Sequence, residues 1–326
     1  MNAVESMKAR RLVRYAYEIY DLKPWDHHDK IGIISIQLNN RKTPYYVVFL
    51  ESSIVVLPNV AALVGLFMNA SFELMPAIQR LRYQQHLLCS FVGAEDADEE
   101  SLKMFVLSEA QLRDDVLPFF ESTMPSLLPD MIVKKEIDVL VDVYAQVIGA
   151  IKAILEQEET IDLEENMHYW SFDYDQKQWV LSHKLLPSSH IEVQELNIDE
   201  HVKNELLHVS QNHDVWEMDV AYTSIMLEKQ EHHRQHAIRL CMITHHDAPL
   251  IYSQSLVNQE DAHQQLYGEL INTIKQRGRP QKIITRDQIL MDAFKSVCNE
   301  VNIELEANEE LETIDLFIQE LEENMK

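Results

Sequence analysis

Residues 215–227 read VWEMDVAYTSIML. Trp216, Met218, Val220, Tyr222 and Met226 take alternate positions, the period of a strand with one face in a core. Two further apolar runs follow, at 237–244 and 250–257. The connections KQEHHRQH and HHDAP are short, which suits an antiparallel meander. Asn258, with Asp261 three residues on, opens a helix lined by Ala262, Leu266, Leu270 and Ile274. Gly278 and Pro280 stop it. Residues 282–285 form a short strand running out to Asp287. Ile289, Leu290, Ala293, Phe294, Val297 and Val301 mark the next helix, and 303–305 a strand. Asn308 caps a last helix carrying Leu311, Ile314, Ile318 and Leu321. A helix over about 199–209 precedes the whole block. The predicted order is β-β-β-α-β-α-β-α.

Upstream the pattern is less regular. Ala9, Leu12, Val13, Ala16 and Tyr20 have helical spacing, with Lys8, Arg10, Arg11 and Arg14 as a solvated cationic face. Residues 31–38 and 45–50 are strand-like runs around the turn-rich NNRKTP, and 53–57 adds a third. Asn59 caps a helix through about Met68. Residues 86–92 and 104–107 read as strands around the acidic GAEDADEES. A long helix covers about 134–157, with Ile137, Val141, Tyr144, Ile148, Ile151 and Ile154 along one side. These signals divide the chain into a mixed α/β (α+β) domain at 1–157, a connecting hairpin segment at 158–197 and a second domain at 198–326.

The 326 residues carry 54 acids against 28 Lys plus Arg, a formal charge of −26. Sequence-independent DNA binding is built on phosphate neutralisation by cations, so this balance argues against a nucleic-acid partner. The six glycines are too scattered for GxGxxG, GxxxxGK[ST] or GxSxG. Motif-borne dinucleotide, P-loop and nucleophile-elbow chemistry are thereby excluded. Cys89, Cys241 and Cys298 form no CxxC, so neither a zinc knuckle nor a disulfide framework is indicated. A reducing, cytoplasmic setting is expected. The N-terminus has cations but no apolar core of a signal peptide. The most apolar stretch, IVVLPNVAALVGLFM (54–68), is too short to span a bilayer and is broken by Pro58-Asn59. No membrane partner is expected. Asn69-Ala70-Ser71 matches a glycosylation sequon that a cytoplasmic protein never presents to the enzyme.

Several constellations have a plainer reading beside the chemical one. Trp25 before Asp26-His27-His28 reads as a surface turn with an anchoring Trp, because no third metal ligand is implied. Trp170, Phe172, Tyr174 and Trp179 read as cross-strand aromatic packing, since a base-stacking platform needs neighbouring cations. His232, His233 and His236 fall in one turn of the meander, and His245, His246 and Asp247 in the next. Successive turns lie at opposite ends of a sheet, so these are solvated turn histidines. Lys275, Arg277, Arg279, Lys282 and Arg286 form a basic patch that balances nearby acids.

The β-β-β-α-β-α-β-α order is that of the ribonuclease H-like fold of retroviral integrases and many transposases. VWEMDV (215–220) resembles the W-x-x-D segment that opens the integrase core. GRPQKIITRD (278–287) resembles its G-x-P-x-x-I-x-x-D segment, with one extra residue before the Asp. The resemblance covers about residues 213–326. The whole chain is also similar to an uncharacterised bacterial two-domain family that joins such a domain to an α/β N-terminal one. That family brings no established activity.

The resemblance implies a site. In active relatives, acids on the first strand, after the fourth strand and on the last helix hold two Mg²⁺ ions, which suits hard cations and phosphoryl transfer. Here it implies Asp219 and Asp287 as catalytic residues and metal ligands, with Asp315 or Glu322, at i and i+7 on the last helix, as the third acid. The chain departs from the pattern at Ala221, where Thr is usual, and at Gln288-Ile289, where Asn-Gly is common. The expectation is therefore a non-catalytic interaction or regulatory module with a degenerate core, a protein partner and no cofactor. The alternative is a nuclease or phosphodiester transferase dependent on Mg²⁺ or Mn²⁺. The two readings separate on whether these carboxylates converge, and on whether Arg286 plugs one of them.

Overall fold

A computed structural model describes residues 3–125, 127–159, 168–182, 195–225, 234–257 and 262–325. The chain divides into two compact units. The first is Met1–Phe67, Tyr83–Pro125 and Pro129–Ser189; the second is Met68–Arg82, Ser126–Leu128 and His190–Lys326.

The first unit holds α1 (Ala3–Leu22), β1 (Ile33–Ile36), β2 (Tyr45–Leu50), β3 (Ser53–Leu57) and α2 (Val60–Ser71), whose last residues run into the second unit. It continues with β4 (His86–Gly93), α3 (Glu99–Ser108), β5 (Val116–Thr123), β6 (Asp130–Met131), α4 (Lys134–Leu155), β7 (Tyr169–Asp173) and β8 (Gln178–Ser182). The strands make one eight-stranded sheet in the order β6-β5-β4-β3-β2-β1-β7-β8. All its pairings are antiparallel except β1 with β7. Leu12, Tyr17, Tyr144 and Ile151 from α1 and α4 pack against Ile34, Val47 and Ile54. Ala62 and Leu63 of α2 join Ile33, Val48, Val55 and Leu57 in a separate cluster. The middle strands are thus buried on both faces, which is why they read as continuous apolar runs rather than alternating ones.

Three expectations change here. Residues 104–107 are helical, within α3. Asp98 accepts the Ser101 N–H at 2.7 Å and starts the helix, so local capping decides this short apolar run. Strand β5 was not expected, because Pro118 and the acids around it obscure its period. The hairpin placed in a connecting segment is the edge of the first sheet, since β7 pairs with β1. Its aromatics do pack across strands: the Phe172 and Trp179 rings lie 5.5 Å apart on paired residues. Trp25 anchors its turn against Tyr20 and Phe91.

The second unit contains α5 (Glu200–His208), β9 (Val215–Tyr222), β10 (Arg239–His245), β11 (Ile251–Val257) and α6 (Ala262–Arg277). It ends with β12 (Lys282–Thr285), α7 (Gln288–Glu300), β13 (Glu304–Ala307) and α8 (Glu312–Asn324). The element order is the expected one. The sheet order is β11-β10-β9-β12-β13. The meander is antiparallel, while β12 runs parallel to both β9 and β13. This is the α/β topology of a ribonuclease H-like domain, with first and fourth strands side by side.

Alternation along β9 divides its side chains between two layers. Trp216, Met218 and Val220 join α5, α6 and α7 in one core. Each large apolar side chain so buried contributes about 1.5–3 kcal/mol. Ala221 faces the other way, with Leu240, Met242 and Ile284 under Leu311, Ile314 and Ile318 of α8. Glu217 and Asp219 share that second face and are fully buried. Gly278 ends α6 at φ +98, a left-handed backbone that favours glycine. Asn308 does not cap α8. It accepts the Glu310 N–H in the turn before it, and α8 begins beyond Leu311. The expected cap at Asn258 and Asp261, Met226, and most of 191–196, which the sequence reads as a further strand, lie outside the described residues.

Candidate functional site

Asp219 stands mid-strand on β9, on the α8 face. Asp287 lies two residues past the end of β12, beyond a bend at Arg286, with extended backbone (φ −98, ψ 114). One Asp287 oxygen caps α7, accepting the Ile289 N–H at 2.9 Å. The extra residue before Asp287 does not turn it away, because the bend at Arg286 interrupts strand alternation before Asp287 is reached. Asp315 projects from the first turn of α8. Glu322, two turns on, is carried about 10 Å along the helix by its rise. It accepts the Ser224 N–H instead and takes no part in the cluster.

Two arginines draw the three aspartates together. Arg82 Nη1 donates to Asp219 Oδ1 at 2.8 Å and to Asp287 Oδ2 at 3.2 Å. Its Nη2 reaches Asp219 Oδ2 at 3.0 Å and the Val220 carbonyl at 3.2 Å. Arg286 donates to both oxygens of Asp315, at 2.8 and 3.2 Å. Its Nε lies 3.0 Å from Asp219 Oδ2, an ion contact outside hydrogen-bond geometry. Both guanidiniums are almost wholly buried. Asp219 thus sits between two cations, each tying it to one of the other acids.

The Arg82 side chain is itself held. It belongs to a 3-10 turn, Ala77–Tyr83, whose part up to Arg82 lies in this unit. Gln79 Oε1 accepts the Tyr222 N–H and its Nε2 donates to the Tyr222 carbonyl, both at 2.8 Å. Gln79 also accepts from Arg82, through its own carbonyl and through Oε1. The Arg82 guanidinium lies 5.3 Å from the Tyr222 ring centroid. The turn is pinned to the end of β9, and the arginine is delivered in one geometry.

The charges decide the protonation. Burial alone pushes the Asp219 carboxyl up, but Arg82 and Arg286 beside it outweigh that and hold it below its ordinary value. Asp315 goes the other way. Burial raises it, and the negative charge of Asp219 adds to this against the partial offset from Arg286. At Asp315 burial outweighs what the bidentate Arg286 contact offsets, so its carboxyl ends above the ordinary value.

These acids do not fit a divalent cation. Their inward oxygens already accept from guanidiniums, and an ion placed among them would meet two fixed positive charges at contact distance. Among the described residues, no three His, Cys, Asp or Glu side chains group to hold a metal ion. The arginine at 286 was legible as a possible plug. Arg82 was not: it comes from 137 residues before Asp219, and nothing in its local sequence marks it.

The other expected constellations are used structurally. His246 Nδ1 lies 2.9 Å from Glu217, whose carboxylate accepts the Thr313 and Ile314 N–H groups at the start of α8. His245 packs on Tyr252. His232 and His233 lie outside the described residues. The basic patch is largely consumed internally. Lys275 pairs with Glu205, and Lys282 with Glu304 and Glu306. Arg279 binds the Val209 and Val301 carbonyls.

Residues 203–322 match a family model described as Domain of unknown function (DUF6930). Residues 10–171 match another, Domain of unknown function (DUF7309). No curated protein matches the chain. Among solved structures, the HTLV-2 integrase catalytic core domain in complex with magnesium, in its dimeric form, is similar at 18% identity and a TM-score of 0.25. That match covers 34% of this chain and 69% of the integrase chain. The simian T-cell lymphotropic virus intasome in complex with PP2A regulatory subunit B56 gamma gives 18% identity, a TM-score of 0.26, and coverage of 36% and 42%. Likeness at this level carries no functional information, and the topology of the second unit rests on its own strand register.

Proposed function

We propose that the second unit is a degenerate ribonuclease H-like domain in which two guanidiniums take the place of metal ions, and that the protein is a non-catalytic interaction or regulatory module of the cytoplasm. The observation that carries this is the pairing of Asp219 with both Arg82 and Arg286. A carboxylate so neutralised has no oxygen to offer a Mg²⁺ ion, and the arginines have no space to withdraw without leaving a buried charge unpaired. The cluster serves instead as a polar weld between β9, β12, α8 and the turn carrying Arg82. The charge of −26 supports a protein partner over a nucleic acid. Cys89, Cys241 and Cys298 are all free and buried, which suits a reducing compartment.

The test is direct. The full chain is incubated with single- and double-stranded DNA and with RNA, in Mg²⁺ or Mn²⁺, and Mn²⁺ binding is followed by calorimetry. No cleavage and no Mn²⁺ binding at the acids are expected. Cleavage that Asp219→Asn abolishes would overturn the proposal in favour of a metal-dependent phosphodiester enzyme.

A further inference from the structure

The two edges of the five-stranded sheet are unlike. At one edge, β13 reads ELEA, with Glu304 and Glu306 exposed, the charged guard that keeps an edge strand from pairing. At the other edge, β11 reads IYSQSLV, with neither a charge nor a proline. Among the described residues of this unit, only β10 pairs with β11, so its other edge has no strand partner there, while Gln265 Nε2 donates to the Leu256 carbonyl at 3.0 Å. Leu256 is 71% exposed, and Leu250, just before the strand, 53%.

Register places the exposed side chains. Thr244 pairs with Ile251, Met242 with Gln254 and Leu240 with Leu256, so Ile251 and Leu256 face the α8 layer. There a cleft of about 570 Å³ runs between α8 and the β10–β11 turn. Ile251, Pro249, Leu316 and Phe317 supply its apolar part. Asp247, Glu312 and Glu320 supply its charge, and no Lys or Arg lines it.

We infer that β11 is a strand-addition site for an extended segment of a partner protein whose same-face positions, i, i+2 and i+4, carry both apolar and basic residues. Main-chain hydrogen bonds to the open edge would give affinity, and every second side chain would turn toward the α8 cleft. There apolar groups meet Leu316 and Phe317, while lysines or arginines meet Glu312, Glu320 and Asp247. A second copy of this chain is disfavoured, because its β11 carries no cation to meet Asp247, Glu312 and Glu320 and two chains of charge −26 repel. The inference goes beyond the acid–arginine cluster and does not depend on it.

A peptide whose every second residue is in turn valine and lysine, with threonine between (TVTKTVTKT), is the probe, and its counterpart with glutamate for lysine is the control. Binding to the full chain is read by fluorescence anisotropy, and the site by hydrogen exchange of the amides in 251–257. The lysine peptide is expected to bind, more weakly as salt rises, and to slow exchange along β11. Leu256→Lys, at an exposed position, and the pair Glu312→Gln with Glu320→Gln should each weaken it by about tenfold, the loss typical of one interface anchor. Circular dichroism confirms that these variants fold. No binding, equal binding of the glutamate peptide, or indifference to all three substitutions would overturn the inference. So would a concentration-dependent dimer that Leu256→Lys dissolves. None of these outcomes bears on the cleavage assay, which tests the cluster alone.

Discussion

At the scale of single residues, Asp219 decides most. A buried carboxylate pays several kcal/mol of lost hydration, and its two guanidinium partners do most to offset that. Arg82→Met leaves Asp219 with one cation and Asp287 with none of the contact from Arg82. The expected cost is about 3–5 kcal/mol of unfolding free energy in urea melts, the usual consequence of breaking a buried pair. Adding Asp219→Asn to that variant should recover part of the loss, because the orphaned charge is then gone. Two independent, additive losses would refute the pairing.

The pH dependence follows from the two shifted carboxyls. Asp219 is depressed below its ordinary value of 3.8, so its stabilisation is present above that pH and is lost as pH falls through the folded value. Asp315 is raised above 3.8, so its contribution grows as pH falls through its folded value and is complete below 3.8. Mild acidification should therefore protonate Asp315 and relieve the surplus negative charge, before deeper acid protonates Asp219 and destabilises the unit. Asp315→Asn should remove the first effect, and Asp219→Asn should flatten the second. Denaturation midpoints measured through the acid range separate them. A single monotonic limb common to wild type and both variants would contradict this order.

At the scale of elements, α8 is fastened through its first turn. Its open N–H groups at Thr313 and Ile314 are accepted by Glu217, a fully buried side chain from a different element. Glu217→Gln keeps the shape but removes the charge that faces the positive end of the helix. The cost should be about 1–2 kcal/mol, with faster hydrogen exchange concentrated in the first turns of α8. Uniform destabilisation of the unit without that local signature would count against the cap.

Gly65 makes a second test, in α2. Replacing a helical glycine by alanine ordinarily stabilises, by up to about 1 kcal/mol. Here the added methyl carbon would stand 2.2 Å from the Tyr83 carbonyl oxygen. Gly65→Ala should therefore destabilise, by about 1–3 kcal/mol through overpacking. A rise in the melting temperature would show that the contact is not as close as described.

The elements also show where the sequence was readable. The helices and strands of the second unit announce themselves because their signals are local: two- and 3.6-residue periods, Gly278 as a stop, short turns. Residues 104–107 were misread because four apolar residues fit either period, and the deciding Asp98 cap lies six residues upstream. Strand β7 was legible as half of a hairpin. Its partner β1 was not, because a parallel pairing leaves no turn to read.

For the whole molecule, charge is the dominant quantity. At −26, long-range repulsion opposes the compact state and salt screens it, while the buried arginine pairs are screened little. Raising ionic strength from low values should raise the melting temperature, by about 2–4 °C for each kcal/mol of repulsion relieved. A fall would mean that exposed pairs such as Lys152–Glu18 and Lys275–Glu205 outweigh the net charge. No helix of the described residues is long and apolar enough to cross a membrane.

The sequence by itself determined the element order of the second unit, the positions of Asp219 and Asp287, and the exclusion of glycine-borne nucleotide chemistry. All of these rest on short-range patterns or on composition. Only the tertiary structure decided what the aspartates face. Arg82 reaches Asp219 across 137 residues, and no local period, cap or spacing encodes a partner so distant. The choice of Asp315 over Glu322 likewise depended on how α8 lies against β9, a matter of packing that a helical repeat alone leaves open.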